Sequence, residues 1–149
     1  MENIFDDTYF MKKALQEAEA AYEKGEIPVG AVIVIDDRVI ARAHNLTETL
    51  NDVTAHAEMQ AFTSAADYLG GKYLKECTLY VTLEPCQMCA GASYWTQIDK
   101  IVFGAKDEHR GFNKFKTTLH PKTKVIGGVL EEKCSTIITK FFIEKRNFN

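Results

Sequence analysis

The stretch Thr78-Leu79-Tyr80-Val81-Thr82-Leu83-Glu84-Pro85-Cys86-Gln87-Met88-Cys89 changes structural period in its middle. Its first half is rich in β-branched and aromatic residues and reads as a strand. Pro85 then favours the first turn of a helix, because it has no amide hydrogen to leave unpaired and its φ is already set. The helix is expected from Cys86 to about Thr96, and a second strand from Lys100 to Ala105. A strand, a helix and a strand in that order make a β-α-β unit, so the chain is expected to be an α/β protein.

Upstream, apolar residues recur at helical spacing from Phe10 to Glu23, with Thr8 or Asp7 available as cap and Gly25 as terminator. Gly30 to Ile35 and Arg38 to Ala43 flank the polar pair Asp36-Asp37 and read as a hairpin. The first of these runs is continuously apolar, as is Ile101-Val-Phe103, so both strands are expected to be buried on two faces with helices on both sides of the sheet. A helix from His56 to Leu69 follows, with Thr54 as its N-cap and Gly70-Gly71 as its stop. The alternation from there to Ala105 predicts right-handed crossovers and a largely parallel sheet. Asp107 to Lys124 is polar, basic and aromatic and reads as a loop or short helix. A short strand is expected near Val125-Ile126, and Leu130, Cys134, Ile137, Ile138, Phe141 and Phe142 mark a terminal helix that ends in Lys145-Arg146.

Cys86 and Cys89 are expected at i and i+3 on one helical face, in a first turn whose dipole and unpaired amides favour the thiolate. A lone C-x-x-C is a redox dithiol, half of a structural zinc site or an accident. His56 and Glu58 give the pair a context, because one imidazole and two thiolates are the three ligands of a catalytic zinc site that leaves its fourth position to solvent. A redox pair would leave His56 and Glu58 without a role, and a closed structural site would need Cys77 or Cys134, both of which read as core residues. His56 and Glu58 stand about 200° apart on an ideal helix, so their spacing alone does not bring them to one metal.

The chain has 149 residues, 46% hydrophobic and 26% charged, and is expected to form one domain over residues 1–149. No run approaches the roughly twenty apolar residues of a membrane span. The acidic start, Met1 to Asp7, lacks the features of a secretion signal, and a cytoplasmic location is expected. With a net charge of −3, no global positive field marks a nucleic-acid binder, although a local basic patch is compatible with RNA.

Thr54-Ala-His-Ala-Glu58 together with Thr82-Leu-Glu-Pro-Cys-Gln-Met-Cys-Ala-Gly91 carries the H-x-E and P-C-x-x-C signature of zinc nucleobase deaminases. The chain thereby resembles the cytidine deaminase-like superfamily and, within it, the bacterial tRNA-specific adenosine deaminases. The likeness extends through Gly25 to Ala31, Ala41 to Asn45, Val102 to Asp107 and Cys134 to Phe142. It implies a three-layer α/β/α sandwich around a five-stranded mixed sheet, one zinc ion per subunit, a homodimer, and conversion of adenosine to inosine at the wobble position of a tRNA anticodon loop. It assigns His56, Cys86 and Cys89 as metal ligands, Glu58 as the proton shuttle, Asn45 to the target base, and Phe142 and Arg146 to the anticodon loop. After Asp107 the sequence departs from the pattern, with Arg110-Gly-Phe-Asn-Lys114 where familiar members carry small residues.

Two rival readings follow. The acidic pI and the altered segment fit a deaminase of a free base or nucleoside, a small purine or pyrimidine such as guanine, cytosine or cytidine, using the same zinc chemistry. A non-catalytic, zinc-stabilised RNA-binding subunit is the other, although it gives Glu58 nothing to do. The helix from Cys86, with Ala90-Gly-Ala92 and Tyr94-Trp95, is apolar around most of its circumference, and a subunit contact is expected there.

Overall fold

A computed structural model of the protein describes residues 3–147; Met1 and Glu2 of the acidic start lie outside the described residues. The order of elements is α1 (Asp7–Glu23), β1 (Gly30–Ile35), β2 (Arg38–His44), α2 (Ala57–Leu69), β3 (Thr78–Leu83), α3 (Gln87–Thr96), β4 (Lys100–Ala105), β5 (Lys124–Ile126) and α4 (Glu131–Asn147). The strands form one five-stranded sheet in the order β2-β1-β3-β4-β5.

The sheet is mixed, as the family resemblance implied, and less parallel than alternation predicted. β1 pairs antiparallel with both β2 and β3, while β3-β4 and β4-β5 are parallel. The cause lies in the crossover through α2, which carries the chain from β2 past β1. β3 therefore runs alongside β2 in direction and opposite to the strand between them. The β1-β2 connection is the two-residue turn Asp36-Asp37, with φ of 49° and 59°, the left-handed pair that matches the twist of a tight hairpin.

Period-two alternation divides the strands between two cores. Ala31, Ile33, Leu79, Val81, Ile101 and Phe103 face Ala57, Ala61, Phe62 and Ala65 of α2 and Ala90 of α3. Val32, Val34, Tyr80 and Val102 face Phe10, Met11 and Ala14 of α1 and Cys134 of α4. The result is a three-layer α/β/α sandwich with two helices on each side. α1 lies so close to β1 that a Cβ on Gly30 would fall 2.0 Å from the Ala14 carbonyl oxygen. Among the described residues no helix is long and apolar enough to cross a membrane.

Several expected boundaries and caps moved by one or two residues. Asp6 caps α1, its Oδ1 accepting from the Tyr9 amide at 2.8 Å. Thr54 does not cap α2, because its hydroxyl and amide both donate to Asp52 Oδ1 at 2.7 and 2.8 Å; His56 is the cap. Cys86 is likewise the cap of α3 rather than its first helical residue. Of the stripe expected on the terminal helix, only Cys134 and Phe141 are fully buried, and Phe142 is 40% exposed.

Candidate active site

The carboxyl end of β3 and the starts of α2 and α3 converge, as expected for a site beyond strand ends in an α/β sheet. His56 stands at the cap of α2 with φ −73° and ψ 154°, and Cys86 at the cap of α3 with φ −72° and ψ 173°. Both backbones are extended there. The cap position is what reconciles His56 with Glu58. The turn of an ideal helix does not separate them, because only Glu58 is helical, and both line one cavity.

His56 Nδ1 lies 3.6 Å from Cys86 Sγ and 3.6 Å from Cys89 Sγ. The three ligand atoms all fall within 4.8 Å of one another. Zinc bonded at about 2.05 Å to nitrogen and 2.3 Å to sulfur, with tetrahedral angles, requires a nitrogen–sulfur separation of about 3.6 Å. The donor set therefore fits one zinc ion. Cys77 and Cys134 are buried elsewhere and complete no fourth ligation.

Electrostatics agree with that geometry. A hydrogen bond from Cys89 leads in drawing the Cys86 thiol down to about 4, with burial opposing it and His56 adding to it. The same Cys86–Cys89 bond, together with burial, pushes Cys89 up. His56 is raised, chiefly through its hydrogen bond with Cys86. Zinc ligands must be deprotonated, so a divalent cation displaces the protons of such a cluster on binding. Two helix N-termini pointing at the thiolates favour their negative charge further.

Glu58 is 4% exposed, and burial pushes its carboxyl up to about 7. A carboxyl with that affinity can take and return a proton near neutrality. Asn45 is buried at 6% exposure, its backbone amide fixed by the Val29 carbonyl at 3.1 Å. It lines a cavity of about 570 Å³ with His56, Glu58 and Cys86. That space suits a nucleobase with its sugar. Phe142 and Arg146 do not line it. They lie exposed on α4, where Arg146 Nε donates to the Phe142 carbonyl at 3.4 Å.

Two buried glutamates that the sequence reading did not single out hold the cavity walls. Glu26 accepts from the Glu48 amide at 3.1 Å and from the Thr49 amide and hydroxyl at 2.7 and 2.6 Å. Glu84 accepts from the Asp107 amide at 3.1 Å and the Asn113 amide at 3.0 Å. The signal for Glu84 was present: a carboxylate between a buried strand and a metal-binding turn has nowhere to solvate, so it must be satisfied by backbone amides.

Known proteins agree with this assignment. The family model described as the cytidine and deoxycytidylate deaminase zinc-binding region matches residues 5–105. A Bacillus subtilis protein named tRNA-specific adenosine deaminase is 47% identical over 146 residues, covering 94% of this chain and 91% of that protein. An Aquifex aeolicus protein of the same name is 47% identical over 145 residues, covering 93% and 95%. A solved structure from work on A-to-I editing by tRNA:A34 deaminases superposes with a TM-score of 0.80 at 43% identity, covering 87% of this chain and 99% of that one. A guanine deaminase from Bacillus subtilis, 42% identical, covers only 65% of this chain and 62% of its own at a TM-score of 0.62. The ligand geometry, the fold and these likenesses together show that the chain belongs to the cytidine and deoxycytidylate deaminase zinc-binding family, on the branch of the tRNA-specific adenosine deaminases.

Proposed function

We propose that the protein hydrolyses adenosine to inosine at the wobble position of a tRNA anticodon. The observation that carries this reading is the joining of a three-ligand zinc set to a buried carboxylate at the floor of a nucleoside-sized cavity. The relatives support the substrate, since those at 47% identity across more than nine-tenths of the chain bear the tRNA-specific name. The small-substrate alternative, read from the acidic pI and the segment after Asp107, has less support from relatives, since the guanine deaminase that is 42% identical matches only 65% of the chain.

His56, Cys86 and Cys89 would hold the zinc, which when bound supplies Lewis acidity that makes water nucleophilic near neutral pH. Glu58 takes a proton from the attacking water and passes it to the ring nitrogen beside the attacked carbon; it then takes the second proton, from the hydroxyl newly formed on that carbon, and delivers it to the amino group, which leaves as ammonia. Burial keeps that carboxyl out of competition with bulk solvent. Asn45 hydrogen-bonds the edge of the inserted base. Phe142 and Arg146 stand outside the cavity, where they would meet neighbouring nucleotides of the loop rather than the target. A loop is the cheaper substrate than a duplex, because its base unstacks with little loss of pairing.

The reading extends to the assembly. Trp95 is 77% exposed and Tyr94 36% exposed at the end of α3, and a homodimer formed across this helix would cover both. A single domain acting on tRNA in this way belongs in the cytoplasm. The test is a panel: the zinc-loaded protein is incubated separately with an anticodon stem-loop bearing wobble adenosine, with guanine and with cytidine, and ammonia is measured. Release from the stem-loop alone is expected; release from guanine or cytidine alone would overturn the reading.

A further inference from the structure

The cavity wall carries an imbalance of charge. Among the described residues five acidic side chains line it, Glu48, Asp52, Glu58, Glu84 and Asp107, against a single lysine or arginine, Arg110. A polynucleotide brings a negative phosphate on each side of its target base, and this wall would repel both. A free base brings none.

Arg110 is exposed, and among the described residues its guanidinium forms no salt bridge. Its backbone, by contrast, is pinned. The Arg110 amide donates to Asp107 Oδ1 at 3.0 Å. Glu84 grips the amides of Asp107 and Asn113 on either side, and the Phe112 amide donates to the Pro85 carbonyl at 2.9 Å. Gly111 lies so close to Glu84 that a Cβ there would fall 2.4 Å from the carboxyl carbon. Phe112 is buried edge-on to Phe103, with ring centroids 6.3 Å apart. The guanidinium is thus a free cation on a fixed base at the mouth of an acidic cavity. It offers donors in a planar fork and no acceptor, the geometry that pairs with two oxygens of a phosphate.

We infer that Arg110 is a specificity-determining residue that binds a phosphate flanking the target nucleotide and so favours a base carried on a polynucleotide over the same base free. The inference rests on the tRNA reading above and adds to it the group that recognises the strand. Glu84 acts through Arg110 as a positioning residue, since it holds the loop from which the arginine projects.

The test compares wild type with Arg110→Gln and Arg110→Lys on an anticodon stem-loop with wobble adenosine. Parallel substrates carry a neutral methylphosphonate at one flanking linkage or the other. Arg110→Gln is expected to lower kcat/KM about tenfold, chiefly through KM, and to reduce the salt slope of binding by about one. Arg110→Lys is expected to recover part of the loss. A methylphosphonate at one linkage should cost wild type a similar factor and cost Arg110→Gln nothing more. Equal kcat/KM for wild type and Arg110→Gln would overturn the inference, as would losses that multiply at both linkages when variant and methylphosphonate are combined. If wild type makes no inosine from the unmodified stem-loop, the tRNA reading itself fails and the inference with it.

Discussion

Glu26 shows what a single side chain contributes at the residue scale. Burial would push its carboxyl up, but hydrogen bonds from the Thr49 hydroxyl and from the Thr49 and Glu48 amides outweigh it, and the net shift is downward from 4.5. A lowered folded-state pKa adds stability that is present in full at neutral pH and lost as pH falls through the folded value. Glu26→Gln is therefore expected to flatten the acid limb of the stability curve between about pH 5 and pH 3 while lowering stability at pH 7. Urea unfolding across that range measures it, and an acid limb as steep as wild type would show that Glu26 is not the group responsible. The ligands themselves were legible in the sequence because their chemistry is rare. Their conformations were not. A helical His56 would point away from Glu58, and the extended cap that brings both to one cavity depends on where α2 begins, which the loop before it decides. Glu26 and Glu84 were hidden for a related reason: their partners are amides 22 to 29 positions away in the chain.

At the scale of elements, the continuous apolar run of β1 foretold a strand covered on both faces, and the burial of Gly30 to Val34 agrees. Strand direction was less legible. Alternation reports crossovers, but β1 entered the sheet through a hairpin and sits between β2 and β3. The packing of α1 on β1 leaves no room at Gly30, so Gly30→Ala is expected to destabilise the protein by about 1–3 kcal/mol. Thermal unfolding measures this, and an unchanged midpoint would mean that α1 is free to move outward. Glu84 joins two elements, the turn into α3 and the loop after β4. Glu84→Gln leaves one amide of that loop facing a donor instead of an acceptor. Amide exchange at Asp107 or Asn113 should accelerate, with Leu79 to Val81 of β3 unchanged; uniform acceleration would indicate global destabilisation instead.

For the whole molecule, Tyr94 and Trp95 expose an aromatic surface at the end of α3, and burial of aromatic area is what drives association. Wild type is expected to sediment as a dimer at micromolar concentration and Trp95→Glu as a monomer; a monomeric wild type would contradict the assembly. The central claim is that three side chains hold one zinc beside a carboxylate whose task is proton transfer. The most direct measurement is elemental zinc and single-turnover deamination of the wobble-adenosine stem-loop in Glu58→Gln. One zinc per chain is expected, with a rate lowered by about 10²–10⁴. A rate within a few-fold of wild type, at full zinc content, would contradict the account.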